Sequence, residues 1–361
     1  MDLALEVKRL RPDVVIDIIS ERESRHPRAH QAFDRIMSPS GAGWMRTTRG
    51  VKFLWYMAKY RALLARTDGR YDAVHVFYLS AIWGALANGL RARGGRLIVS
   101  LFGSDVYRTT GLLQPLQAHL LRAADHVTAA NADTLDAASR MHVDLSERSS
   151  LVRFGLRPLE HVQRLRRTGD RVMHRAALGL PADRIIVVAG YNASMNQRHA
   201  AIIEALDVLP TALRDRLFVV LPMTMGGDEA YRMEVRTLIG LTGIPHRIFS
   251  DLMTDEDVAR LRLAADILVQ VQATDQLAGA MQEHLCAGTV VITGAWLPYA
   301  VLHDAGVRFW AIEGLNDLPA AVREALDELE ARREQCQDNE GPILELSSWS
   351  HTAPRWSALY D

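Results

Sequence analysis

Residues 269–294 read VQVQATDQLAGAMQEHLCAGTVVITG, and their reading decides the fold class. The apolar run at 267–271 (ILVQV) has the length and β-branching of a buried strand. A polar break follows at 272–276. Residues 277–287 then carry apolar side chains at helical spacing and stop at Gly288, and the β-branched run 290–293 closes the unit. Strand, loop, helix and strand in succession predict a parallel sheet, in which ligands sit at the C-terminal ends of strands. Two carboxylates frame the unit. Asp275 stands in the loop where the helix begins, and Glu283 follows eight residues later, a little over two helical turns. Glu283 is thus expected on the same helical face as the helix start, set back from it. A carboxylate there suits a pair of sugar hydroxyls, and the free N–H groups of the helix start suit a phosphate.

Working outward, the same alternation fills the chain. Strands are expected at 14–19, 73–78, 96–101, 125–130 and 150–154, and again at 184–189, 217–222 and 247–249. Helical segments separate them at 3–11, 81–93, 112–123, 200–209, 255–265 and 318–333. This is the pattern of an α/β protein with doubly wound parallel sheets. A length of 361 residues favours two domains. The divisions expected are 1–165, an Arg-rich connection at 166–183, a second domain at 184–345, and a terminal helix at 346–361.

Hydrophobic content of 48% and charged content of 24% are those of a soluble globular chain. No apolar run approaches the roughly 18 residues of a membrane span, and no basic-then-apolar leader opens the sequence. Two cysteines, Cys286 and Cys336, make neither a disulfide framework nor a metal cluster, so a reducing cytoplasm is the expected compartment. Charge is divided unevenly. Residues 1–175 hold 28 Lys+Arg against 17 Asp+Glu, and residues 176–361 hold 14 against 26. A basic first half implies an anionic partner. No zinc-finger, RNP-like or helix-turn-helix pattern points to nucleic acid, so the expected partners are a membrane surface or a lipid-linked phosphate acceptor. The stretch 44–66 carries six basic residues, no acid and aromatic residues at helical spacing. It reads either as a helix at an anionic membrane surface or as an ordinary sheet-covering helix with a basic edge.

Three further places carry chemistry. Between a strand and a helix, residues 190–199 read GYNASMNQRH. A loop rich in Gly, Asn and Ser lets backbone N–H groups approach an anion, which makes Gly190, Asn192, Ser194 and Asn196 a candidate phosphate cradle and Arg198 a diphosphate clamp. Gly103-Ser104-Asp105 follows another strand, and Asp105 is either a ligand-facing carboxylate or the cap of the next helix. Trp296 is either the floor of a sugar pocket or a core aromatic, and His75 either a core histidine or a base.

The central stretch resembles the carboxylate–seven residues–carboxylate motif of retaining GT-B glycosyltransferases of the family-4 group. That pattern is Glu-Gly-Phe-Gly, four residues, Glu, then Ala-Met-Ala-x-Gly before a strand. Asp275 stands at the first Glu, Glu283 at the second and Gly288 at the helix stop. The resemblance implies two Rossmann-like domains facing a cleft, with the terminal helix crossing back to the first. It implies that Glu283 binds the ribose of a nucleotide sugar. Asp275 would lie by the donor sugar, with the main chain of Gln276, Leu277 and Ala278 near the sugar and phosphate. Two departures are plain: Asp replaces Glu, and Gln276-Leu277-Ala278 replaces Gly-Phe-Gly. Gly103-Ser104-Asp105 is similar to a cleft-facing turn of the same family, with Phe102 where many members carry His; Asp105 is accordingly a catalytic candidate with Asp275. In the second half, the 190–199 loop, Met223, Tyr231, the Asp275-Gln276 turn and Trp296 are similar in order and spacing to bacterial transferases of TDP-4-acetamido-4,6-dideoxygalactose. This resemblance adds Met223 and Tyr231 to the donor site and implies a cytosolic enzyme at the inner membrane in surface-polysaccharide synthesis. No cofactor is expected; a TDP-, UDP- or GDP-sugar is the substrate, and a glycan or lipid-linked molecule the acceptor. No Asp-x-Asp pair stands in a suitable loop, so no metal is expected. The rivals are a GT-B nucleotide-sugar epimerase and a non-catalytic GT-B protein supporting a partner transferase.

Overall fold

The strand β1 (Asp17–Ile19) pairs in parallel with β2 (Arg35–Met37), next to the opening helix Asp2–Leu10. The computed structural model describes residues 1–21, 28–39, 49–67, 69–107, 111–141 and 143–361. These form two units. One comprises Met1–Gly155 with Trp349–Asp361, the other Leu156–Ser348.

In the first unit a four-stranded parallel sheet runs β3 (Tyr71–Phe77), β4 (Gly94–Ser100), β5 (His126–Ala129), β6 (Ser149–Leu151). Val76, Leu97, Val99 and Val127 enter one buried cluster with Tyr56, Tyr60 and Leu64 from the helix Arg49–Ala65. The four-residue spacing of those last three puts them on one helical stripe. That helix therefore covers core, while Leu54 on it is 62% exposed. Of the basic stretch 44–66, residues 44–48 lie outside the described residues. Trp349, Ala353 and Trp356 of the terminal helix pack with Leu3 and Val7 of the opening helix, and Trp356 Nε1 donates to Arg153 O at 2.8 Å. His75 is a core histidine: one ring nitrogen meets Tyr360 Oη at 2.8 Å, the other Ser100 Oγ at 2.6 Å. Burial lowers its pKa to about 3.

The second unit is a six-stranded parallel sheet. Its strands are β7 (Ile185–Ala189), β8 (Leu217–Pro222), β9 (His246–Phe249), β10 (Ile267–Gln270), β11 (Val290–Gly294) and β12 (Trp310–Ile312), in the order β12-β11-β10-β7-β8-β9. Alternate side chains enter opposite clusters: Val187 and Ala189 on one face, Ile186 and Val188 on the other. Both faces are covered, which is why these strands read as unbroken apolar runs. The chain order reverses between β7 and β10. At such a switch point the loops leaving two neighbouring strands diverge to opposite faces and leave a crevice for ligand.

The expected connection at 166–183 is corrected. Residues Arg157–Thr168 and Arg171–Ala177 are helices of the second unit. Leu159, Val162 and Leu165 sit at 3-residue spacing and are buried against the helix Asp255–Ala264. Arg175, which made this stretch look solvated, is itself buried and pairs with Asp266 at 2.5 Å.

Candidate functional site

The loop 190–199 leaves β7 and the loop 272–278 leaves β10, one on each side of the switch point. Polar pairs join them. Asn196 Nδ2 donates to Thr274 O at 2.8 Å, Ala273 N donates to Asn196 O at 3.0 Å, and Gln197 Nε2 donates to Gln272 Oε1 at 2.9 Å. Gly190 takes a positive φ of 62°, and an added Cβ there would stand 3.0 Å from Gln197 Oε1 and 3.1 Å from His199 Nε2. Only glycine lets the chain leave β7 this closely.

Arg198 closes the first loop in a left-handed conformation, φ 56°, and caps the nine-residue helix His199–Asp207. The N–H groups of that helix's first turn lack intrahelical partners. The Arg198 guanidinium lies 5.4 Å from the ring centroid of Trp296 and has no carboxylate partner among the described residues. Trp296, in the loop after β11, is itself fixed: its Nε1 donates to Gln272 O at 2.9 Å.

The cradle differs from the sequence expectation in one respect. The N–H of Ser194 goes to Asn192 Oδ1 at 2.9 Å, that of Asn196 to Ser194 Oγ at 3.3 Å, and that of Ala193 to Met225 O at 2.7 Å. These side chains and amides shape the loop. Capacity for an anion therefore rests on Arg198 and the helix start behind it.

Beneath the loops runs a buried polar chain. Tyr299 Oη donates to Asp275 Oδ2 at 2.5 Å and accepts from Gln270 Nε2 at 2.9 Å and Gln272 Nε2 at 3.3 Å. Burial raises the Asp275 pKa, against the opposing effect of the Tyr299 hydrogen bond and of the Gln276 and Ala278 amides. Tyr299 is pushed well above the ordinary tyrosine value by burial and by Asp275. Asp275, Gln276, Leu277 and Ala278 lead directly into the helix Gly279–Cys286, and the loop that carries them meets the 190–199 loop at Asn196 and Gln197, while Ala193 and Ser194 face Met225 and Gly226.

Four candidates are placed differently. Glu283 lies one turn inside that helix, 7% exposed, and its Oε2 accepts from Arg262 Nε at 3.1 Å and Nη2 at 3.0 Å. Arg262 Nη1 donates to His284 Nε2, which requires the proton on His284 Nδ1, facing Thr289 Oγ1. His284 is thereby held neutral; burial first, and then Arg262, lowers its pKa. Met223 is 1% exposed and belongs to the core, while Tyr231 is mostly buried with its hydroxyl 2.9 Å from His199 Nδ1. Asp105 belongs to the first unit and is fully buried; its oxygens accept from Leu79 N at 2.7 Å and Phe102 N at 2.9 Å. There it braces the two turns carrying Tyr78 and Phe102, which removes it from contact with a reacting atom. Sequence reading missed Gln272 and Tyr299 as parts of the site. The one available signal was glutamine at 270 and 272 inside an apolar strand run.

Among the described residues, no group of three or more His, Cys, Asp or Glu is gathered that would hold a metal ion. Nor does any described helix have the length and apolarity to cross a membrane.

The family described as "Glycosyl transferase 4-like" matches residues 6–131. No curated protein is significantly similar in sequence. Among solved structures, the chain is similar to a sucrose-phosphate synthase from Thermosynechococcus elongatus, at 17% identity, TM-score 0.74, covering 99% of this chain and 90% of that one. WaaG, a glycosyltransferase of lipopolysaccharide biosynthesis, aligns at 19% identity and TM-score 0.72 over 99% and 94% of the two chains. Anabaena HepE, solved with UDP and glucose, aligns at 12% identity and TM-score 0.72 over 99% and 94%. The fold is therefore GT-B, and the part of the chain that a sequence family recognises, 6–131, is glycosyl transferase 4-like.

Proposed function

We propose that the chain is a glycosyltransferase that takes a sugar from a nucleoside diphosphate. The observation carrying this reading is the Arg198 guanidinium, without a carboxylate partner among the described residues, at a helix start on the switch point of a parallel sheet. A leaving diphosphate needs positive charge already in place, and one such preorganised group is worth about 100-fold or more in rate. Asp275 would lie by the donor sugar and Glu283 Oε1 would meet the ribose. The finer reading is a retaining, metal-independent enzyme of bacterial surface-glycan synthesis acting on a glycan or lipid-linked acceptor. The acid-free helix Arg49–Ala65 would rest on an anionic membrane surface on the cytoplasmic side. A TDP-sugar is the first donor to test, because spacing in the second half is similar to that of TDP-deoxysugar transferases.

A second reading has an observation of its own. Glu283 Oε2 is held by Arg262 and Asp275 by Tyr299, which suits a GT-B protein that binds nucleotide without transferring sugar. Thermal melting with UDP, TDP, GDP, ADP and CMP tests the binding step. A diphosphate at about 100 times its dissociation constant stabilises by about 2.7 kcal/mol, a shift of several degrees. No shift with any of them would refute nucleotide use. Slow donor hydrolysis without acceptor then separates the readings, since the non-catalytic protein releases no sugar.

A further inference from the structure

The geometry points to Trp296 as the positioning residue of the anion site, its indole holding the Arg198 guanidinium over the diphosphate of the ligand. This rests on the nucleotide-diphosphate reading above and adds the device that makes a single arginine sufficient.

Arg198 has little else to hold it. Its guanidinium has no carboxylate partner among the described residues, and its backbone takes a conformation uncommon for residues other than glycine. A backbone outlier at a loop tip is an observation from which function is inferred, and here the outlier carries the loop's one cation. A flexible arginine loses side-chain entropy on every ligand it meets. Stacking on a fixed aromatic face removes part of that loss beforehand and leaves the N–H groups in the ring plane's periphery free to donate.

The indole is placed by two separate contacts. Its Nε1 donates to Gln272 O at 2.9 Å. Its ring lies against Gly294, the last residue of β11: a Cβ added there would stand 2.3 Å from two ring carbons. Glycine at 294 needs no unusual φ; what it supplies is room for the ring. Trp296 is 36% exposed, so the stack stands at the surface where a ligand reaches it. Gln272 is also the residue that joins the β7 and β10 loops through Gln197. The indole therefore ties the β11 loop to the same crevice, and Arg198 is presented where three loops meet.

The test is calorimetric titration of the full chain with UDP, uridine and inorganic pyrophosphate, for the parent and for Trp296→Ala, Trp296→Phe, Arg198→Ala and the Trp296→Ala/Arg198→Ala double variant. Cation–π contact at an exposed site of this kind is worth about 2- to 5-fold in affinity. The expected result is a loss of that size for UDP and pyrophosphate in Trp296→Ala, with uridine unaffected. Trp296→Phe keeps a ring and should recover most of the loss. The double variant should bind no more weakly than Arg198→Ala alone. Gly294→Ala, which displaces the ring without removing it, should imitate Trp296→Ala, with melting temperatures confirming that each variant is folded. Quenching of tryptophan fluorescence by UDP should be lost in Trp296→Phe. If the parent binds UDP and Arg198→Ala weakens it while Trp296→Ala does not, the positioning role is overturned and nucleotide use stands. If the losses of the two single variants simply add, the coupling is overturned likewise. If the parent binds none of pyrophosphate, UDP, TDP and GDP, the proposal falls together with the reading beneath it.

Discussion

Replacing Glu283 by Gln separates what this residue does for the fold from what it does for a ligand. Glu283 and Arg262 are 7% and 6% exposed, and both donors of the arginine that reach the carboxylate converge on Oε2. Removing one partner of a buried pair leaves the other charge uncompensated, at about 3–5 kcal/mol. A glutamine oxygen still accepts one of the two hydrogen bonds, so the lower end applies, about 3 kcal/mol. For a unit of this size each kcal/mol moves the melting temperature by about 2–4 °C, so a fall of about 6–12 °C is expected. Differential scanning calorimetry without ligand measures it. The companion variant Arg262→Met/Glu283→Leu removes both charges and keeps apolar volume. It should melt above Glu283→Gln, short of the parent by about 1–3 kcal/mol for the buried His284 Nε2 that loses its donor. If Glu283 Oε1 meets ribose, that double variant is stable yet binds UDP poorly. A Glu283→Gln variant that melts with the parent would refute the structural half of this reasoning. A double variant with unchanged UDP affinity would refute the ligand half.

His75 should make the protein acid-sensitive. Burial holds its folded pKa at about 3, below the unfolded value of about 6.5. Its neutral form therefore contributes fully above pH 6.5, and stability falls by up to about 1.4 kcal/mol per pH unit as pH drops toward 3. His199, lowered by burial to about 4, adds to the slope in the same direction. Urea unfolding at pH 7 and pH 5 should show the decline, and a His75→Gln variant that leaves the slope unchanged would count against it. Burial pushes the thiols of Cys286 and Cys336 up to about 12, so neither should react with an aromatic disulfide reagent at pH 8 until the chain is unfolded. Fast labelling of the native protein would contradict this. Gly155→Ala places a Cβ 2.2 Å from the Trp349 ring and should destabilise by about 1–3 kcal/mol in chemical denaturation. An unchanged midpoint would show that the terminal helix moves aside at no cost.

Sequence made the four inner strands of the second unit legible because each is buried on both faces and so stands out as an apolar run, whereas the three-residue edge strand β12 offers no such run. It could not give β2, three residues long inside a polar stretch, for no periodicity develops over that length. The Arg-rich segment 166–183 reads as a connection for a related reason. Leu159, Val162 and Leu165 mark a helical stripe, but the arginines at 157, 164, 166, 167, 171 and 175 dominate the composition around it, and the burial of Arg175 on Asp266 is a tertiary fact.

The site divides in the same way. Spacing alone put Arg198 and Asp275 on loops at strand ends, because loop position follows from element order. That β7 and β10 are neighbours follows from sheet order, which no local pattern states. Their adjacency turns two unrelated loops into one crevice, and it explains why the missed residues are the connecting ones. Gln272 reaches Gln197 on one side, Tyr299 on another and Trp296 through its carbonyl. Each contact joins segments between 24 and 75 residues apart in sequence. A residue whose work is to join loops shows its role only when the loops have been brought together. Gln272→Leu should accordingly break the side-chain links to Gln197 and Tyr299 together, lowering UDP affinity and loosening Asp275, while the main-chain bond that holds Trp296 persists, whereas Asn196→Ala should affect only the β7–β10 pair.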